Sequence, residues 1–85
     1  MGYMQSVSMA ELDIPLEAAI KWQLRHNFYP PVPSEIIPVA VKAVELCREG
    51  AYEKTLKTPF EHRTYGWDVP AHVVVDCYHL EPWCG

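Results

Sequence analysis

A chain of 85 residues has room for one small domain. Hydrophobic residues make up 49% and charged residues 21%, which is a globular composition, and no apolar run approaches the length of a membrane-spanning helix. Seven Lys and Arg against 11 Asp and Glu give a net charge of −4, a balance that argues against a phosphate-binding face and is too mild for a nucleic-acid mimic.

Met1 to Val7 show no period, and residues 1–12 read as a flexible N-terminal segment ahead of a single globular domain over 13–85. No charged start, apolar stretch and small-residue cleavage site opens the chain, so a secretory signal is not expected. Asp13 reads as a helix N-cap, with Pro15 in the first turn, where backbone donors lack partners in any case. Leu16, Ala19, Ile20 and Leu24 then recur at helical spacing, with Glu17, Lys21 and Arg25 on the opposite side. Asn27 is placed to close this first helix in a left-handed conformation.

Phe28-Tyr29-Pro30-Pro31-Val32-Pro33 follows, where three prolines favour an extended, polyproline-like path. Ser34 reads as the cap of a second helix over residues 35–49, with Glu35 near its positive end and Pro38 close enough to the start to be tolerated. Glu35, Lys42, Glu45 and Glu49 share one narrow arc of that helix, and apolar residues cover the rest. Such a helix is packed on more than one side and is central to the fold. Gly50 stands just past its end.

Tyr52 to Lys57 and His62 to Trp67 alternate loosely about Thr58-Pro59-Phe60-Glu61, which predicts a short β-hairpin turning at 58–61. Two strands alone are unstable, so one face must lie on the helices or one edge on another chain. Asp68-Val69-Pro70 repeats the grammar of Asp13-Ile14-Pro15 and predicts a third helix. Its core face is Val73, Cys77 and Leu80 with Val74 beside them, Pro82 ends it, and Trp83 folds back onto the body. The fold class is therefore α+β: a small single domain ordered helix–helix–β-hairpin–helix around a central apolar helix.

Three cysteines, Cys47, Cys77 and Cys84, are an odd number without a CxxC pair. They do not make a disulfide framework and suit a reducing cytoplasm. Cys77 and Cys84 are near enough in sequence to pair; Cys47 and Cys77 read more simply as small core residues.

His26-Asn27-Phe28-Tyr29-Pro30-Pro31-Val32-Pro33, then Pro38-Val39-Ala40-Val41-Lys42-Ala43-Val44, a β-like segment, a late proline and His79-Leu80 resemble a group of small proteins encoded by actinobacterial bacteriophages. The resemblance covers residues 26–83, about two-thirds of the chain. Its most specific part is the aromatic-proline motif leading into the apolar helix, and Cys77 and Cys84 depart from the pattern. It implies a non-structural phage product acting on a host component, and it carries no catalytic residues.

The residues offer two kinds of chemistry. His72, Asp76 and His79 fall within about 60° of one another on an ideal helix and form a metal-site candidate, but the same arc is that helix's polar stripe and no fourth ligand stands at diagnostic spacing. Cys77 and His79 point roughly 160° apart on a helix, so they do not make a nucleophile–base pair. No Walker, G-x-S-x-G or G-x-G-x-x-G motif is present, and neither an enzyme nor a cofactor is implied.

Pro30-Pro31-Val32-Pro33 satisfies P-x-x-P. Its plainer reading is a stiff connector that sets the angle between two helices while Phe28 and Tyr29 pack beneath it. Tyr29, Tyr65, Trp67 and Trp83 are hard to place in so small a core, and Tyr and Trp make good interface anchors. The expected function is thus a non-enzymatic protein-binding module whose surface draws on Phe28, Tyr29, Pro30, Pro31, Pro33, Tyr65, Trp67 and Trp83. Its partner is a host protein or a second copy in a homodimer, with no nucleic acid and no membrane.

Overall fold

The computed structural model describes residues 15–85; the Asp13 cap and the expected flexible segment 1–12 lie outside them. Helix α1 (Leu16–His26) is followed by the proline connector, a 3₁₀ turn (Ser34–Ile36), α2 (Ile37–Arg48), β1 (Thr55–His62), β2 (Gly66–Pro70), α3 (Ala71–Cys77) and a second 3₁₀ turn (Glu81–Trp83). The architecture is the expected α+β one, and α2 packs against both α1 and α3.

The reasons are visible element by element. In α1, Ala19, Ile20 and Leu24 are buried and Leu16 lies against them, while Glu17, Lys21 and Arg25 face outward. The helix closes differently from expectation. Asn27 has φ −99°, not a left-handed value, and its N–H returns to the Gln23 carbonyl. Ser34 makes no side-chain cap either; a 3₁₀ turn begins there, and α2 starts at Ile37 with Pro38 in its first turn. Proline fits at that position because its missing N–H would have no intrahelical acceptor. Ile37, Ala40, Ala43, Val44, Leu46 and Cys47 of α2 are buried, as its apolar circumference requires. Gly50 follows with φ +80°, a conformation that costs a residue with a Cβ.

The hairpin is antiparallel, but its turn is at 63–65 and not at 58–61. Alternation in β1 runs unbroken through Pro59: Leu56, Thr58, Phe60 and His62 face inward, and the residues between them face out. Thr55, Leu56 and Lys57 pair with Pro70, Val69 and Asp68, whereas His62 pairs with Gly66, so extra residues are accommodated in β1 between Lys57 and His62. A bulge is where a strand tolerates proline, since no ladder bond is asked of its nitrogen. The buried Thr58 hydroxyl lies 2.6 Å from the Phe60 carbonyl and 2.9 Å from that of Trp67, sharing its one proton across the irregularity.

Strand β2 runs into α3 without a loop. Asp68 is therefore a strand residue and not a helix cap, and Pro70 precedes the first helical residue. Ladder-like bonds continue past the joint, from the Ala71 N–H to the Lys54 carbonyl and from the His72 N–H to that of Tyr52. This joint sets the phase of α3. Ala71 begins buried, so Val74 and Val75 follow it into the core, Val73 is half-buried, and Cys77 is exposed where the sequence placed it inside. The helix also ends at Cys77, before Pro82, because the backbone turns at Tyr78 and His79 takes φ 55°. Pro82 lies instead within the second 3₁₀ turn.

Candidate functional site

Two neighbouring residues of α1 define the inner and outer sides of the molecule. Gln23 is polar yet only 7% exposed. Its amide nitrogen donates to the carbonyls of Tyr78 (2.9 Å) and His79 (2.7 Å), and its carbonyl accepts from the Trp83 indole at 2.6 Å. Both its amide nitrogen and its oxygen are partnered, and among the described residues no buried side-chain nitrogen or oxygen lacks a partner. Arg48 adds a bond from Nε to the Trp83 carbonyl at 2.7 Å. A non-glycine residue in the left-handed region costs of order 1 kcal/mol. At His79 that cost is offset by the bond its carbonyl accepts from Gln23 and by the stacking of its ring on Phe28, with centroids 5.8 Å apart.

This inner arrangement engages two residues of the expected contact surface. Trp83 is buried, its apolar body in the core and its N–H satisfied. Phe28 is half-buried, stacked on His79 and edge-on to Tyr78, which in turn meets Phe60. Gln23 itself was legible only as a polar residue inside the stripe Leu16, Ala19, Ile20, Leu24, a position the apolar pattern alone passes over.

The outer side carries the aromatics. Tyr29 is 99% exposed, so it does not pack beneath the connector. Pro30, Pro31 and Pro33 are exposed beside it. Trp22, which composition alone did not single out, is 57% exposed and stacks on the His26 ring, with centroids 4.5 Å apart and planes at 17°. The His26 Nδ1 donates to the Trp22 carbonyl at 2.9 Å and holds that ring in place. Lys21 and Arg25 stand beside this pair on α1 and, with Pro31, Val32, Ser34 and Ile37, line an open cleft of about 350 Å³ beneath the connector. The connector is anchored by the Val32 N–H, which donates to the Leu24 carbonyl at 3.1 Å. Tyr65 and Trp67 are also exposed, but on the hairpin, where Tyr65 lies against His62.

The metal candidate loses its geometric basis. The arc shared by His72, Asp76 and His79 presumed a helix through residue 79, whereas α3 stops at Cys77 and the His79 ring lies on Phe28. Among the described residues no group of three or more His, Cys, Asp or Glu is gathered as a metal site.

All three cysteines are free. Those that approach each other are Cys47 on α2 and Cys84 after the second 3₁₀ turn, rather than Cys77 and Cys84. Burial pushes the Cys84 thiol up to about 11, with Cys47 and Glu81 adding to the rise and Arg48 opposing it. Burial raises Cys47 as well, partly countered by its hydrogen bond with Cys84. Thiols held protonated in this way are poor nucleophiles. Burial likewise raises the Tyr78 phenol, helped by Cys77.

No helix among the described residues is long and apolar enough to cross a membrane. Comparison with protein-family models, with curated proteins and with solved structures finds no match to the chain.

Proposed function

We propose that this chain is a non-enzymatic protein-binding module whose contact surface is the outer face of α1 together with the proline connector. The observation that carries the reading is the pair of large aromatics held outside a core that had room for Trp83: Trp22 at 57% and Tyr29 at 99% exposure. Trp, Tyr and Arg dominate binding hot spots because they bury much area at small entropic cost. Here Arg25 stands between the two aromatics in sequence. Stacking on His26 and the anchored connector reduce the ordering cost of binding. Tyr65 and Trp67 form a second, smaller patch on the hairpin.

The partner is a protein of the cytoplasm, in keeping with the resemblance to phage proteins that act on a host component; a second copy of the chain is the other candidate. The test is an affinity capture from actinobacterial lysate with three baits: the wild type, a Trp22→Ala, Tyr29→Ala double variant and a Trp67→Ala variant. One stoichiometric partner held by the wild type and by Trp67→Ala, and lost by the double variant, supports the α1 surface. Loss with Trp67→Ala alone moves the surface to the hairpin. Equal recovery by all three rejects both faces.

A further inference from the structure

The cleft beneath the connector has a composition at odds with the rest of the molecule. The chain carries a net charge of −4, yet the cleft is lined by two cations and no carboxylate. Lys21 and Arg25 are four residues apart on α1, so their side chains leave the helix on one side as neighbours. Arg25 has a structural use in the last turn, where a cation complements the helix dipole. Lys21, a turn earlier, lies outside the last turn, with Glu17 four residues before it on the same face of α1 and outside the cleft lining. The remaining wall is Pro31, Val32 and Ile37, with the Ser34 hydroxyl at the rim. Ile37 is buried, and Val32 is held by its backbone bond to Leu24, so the apolar wall is fixed in position.

We infer that this cleft receives an acidic peptide segment, placing a Glu or Asp side chain between Lys21 and Arg25 and an adjacent aliphatic side chain against Pro31, Val32 and Ile37. Charge complementarity selects the carboxylate, and the rigid apolar wall separates a peptide from a bare anion, which would leave that wall unused. At about 350 Å³ the cleft is at the small end of ligand-binding clefts and suits a pair of side chains rather than a folded element. The inference rests on the protein-binding reading and specifies the chemistry of the partner: a negatively charged, leucine- or valine-bearing strand or tail that lies along Pro31, Val32 and Ile37.

The test is a titration of the ¹⁵N-labelled full chain with three probes: a capped tetrapeptide alternating glutamate and leucine, its glutamine counterpart, and sodium phosphate. The acidic peptide is expected to give saturable shifts at the amides of Lys21, Arg25, Val32 and Ser34 with a Kd near or below about 1 mM, and to bind about tenfold or more tightly than either other probe. A Lys21→Gln, Arg25→Gln variant, altered only at exposed positions, should lose that binding, and Trp67→Ala should keep it. No saturable shift up to about 10 mM, equal binding of the glutamine peptide, or indifference to the Lys21→Gln, Arg25→Gln change each overturns the inference. Phosphate binding as tightly as the peptide also overturns it and leaves a plain anion site. Because the titration needs no natural partner, its failure leaves the capture result standing, and failure of the capture leaves the titration standing.

Discussion

Trp22 and Gln23 are neighbours in sequence and opposites in position, and each is on the side its polarity would not suggest. The polar residue is inside because three partners from 55 to 60 positions away take up both of its N–H donors and its carbonyl oxygen. The large aromatic is outside, stacked on an exposed histidine. Burial on α1 is therefore decided by what faces each position rather than by the residue's own transfer preference. Gln23 serves the integrity of the fold, while Trp22 holds an aromatic surface outside it, where the proposed partner would bind.

Substitutions should divide along the same line. Gln23→Leu keeps the volume but orphans the Trp83 indole N–H and the carbonyls of Tyr78 and His79. We expect a loss of about 2–4 kcal/mol in urea unfolding, a large share of the stability of so short a chain. A loss below about 1 kcal/mol would mean water replaces the three bonds and would break the comparison.

Raising the pH probes the same inner side. The Cys84 thiol ionises near 9.0 when unfolded and at about 11 when folded. The folded state then holds its proton longer, so the thiol's contribution to stability is complete below pH 9 and is lost as pH rises through 11. The unfolding midpoint should fall across that window, and fall less in Cys84→Ala; identical slopes would sink the assignment. The smallest effect belongs to the outer side. Trp22→Ala should change unfolding stability by no more than about 0.5 kcal/mol, and a larger loss would turn Trp22 into a structural residue.

Much of this fold was legible in the sequence because it depends on local chemistry. The stripe Leu16, Ala19, Ile20, Leu24 and the apolar circumference of α2 report their own burial, and Gly50 marks an end only glycine reaches cheaply. What was not legible depends on distant partners. Thr58-Pro59 reads as a turn until Trp67 is brought opposite it, when the same residues form a bulge in a continuous strand. The phase of α3, and with it the exposure of Cys77, is set by the loopless joint with β2 and not by the helix's own period. The proposed contact surface was half legible. Tyr29 and the prolines stand out in any reading, but Trp22 is hidden in an ordinary helix, and Trp83 has the profile of an interface residue until Gln23 is seen to hold it.

The span between Gln23 and Trp83 also orders events on the ribosome. Helix α1 leaves the exit tunnel ahead of its partners, carrying an amide that burial would leave unpaired, while the backbone and indole groups that satisfy it lie at positions 78–83. A nascent chain in which those positions have not yet emerged has nothing to dock on the inner face of α1 at Gln23. Completion of this fold is therefore withheld until residues 78–83 have emerged, and through that interval the growing chain offers its unfinished core to chaperones.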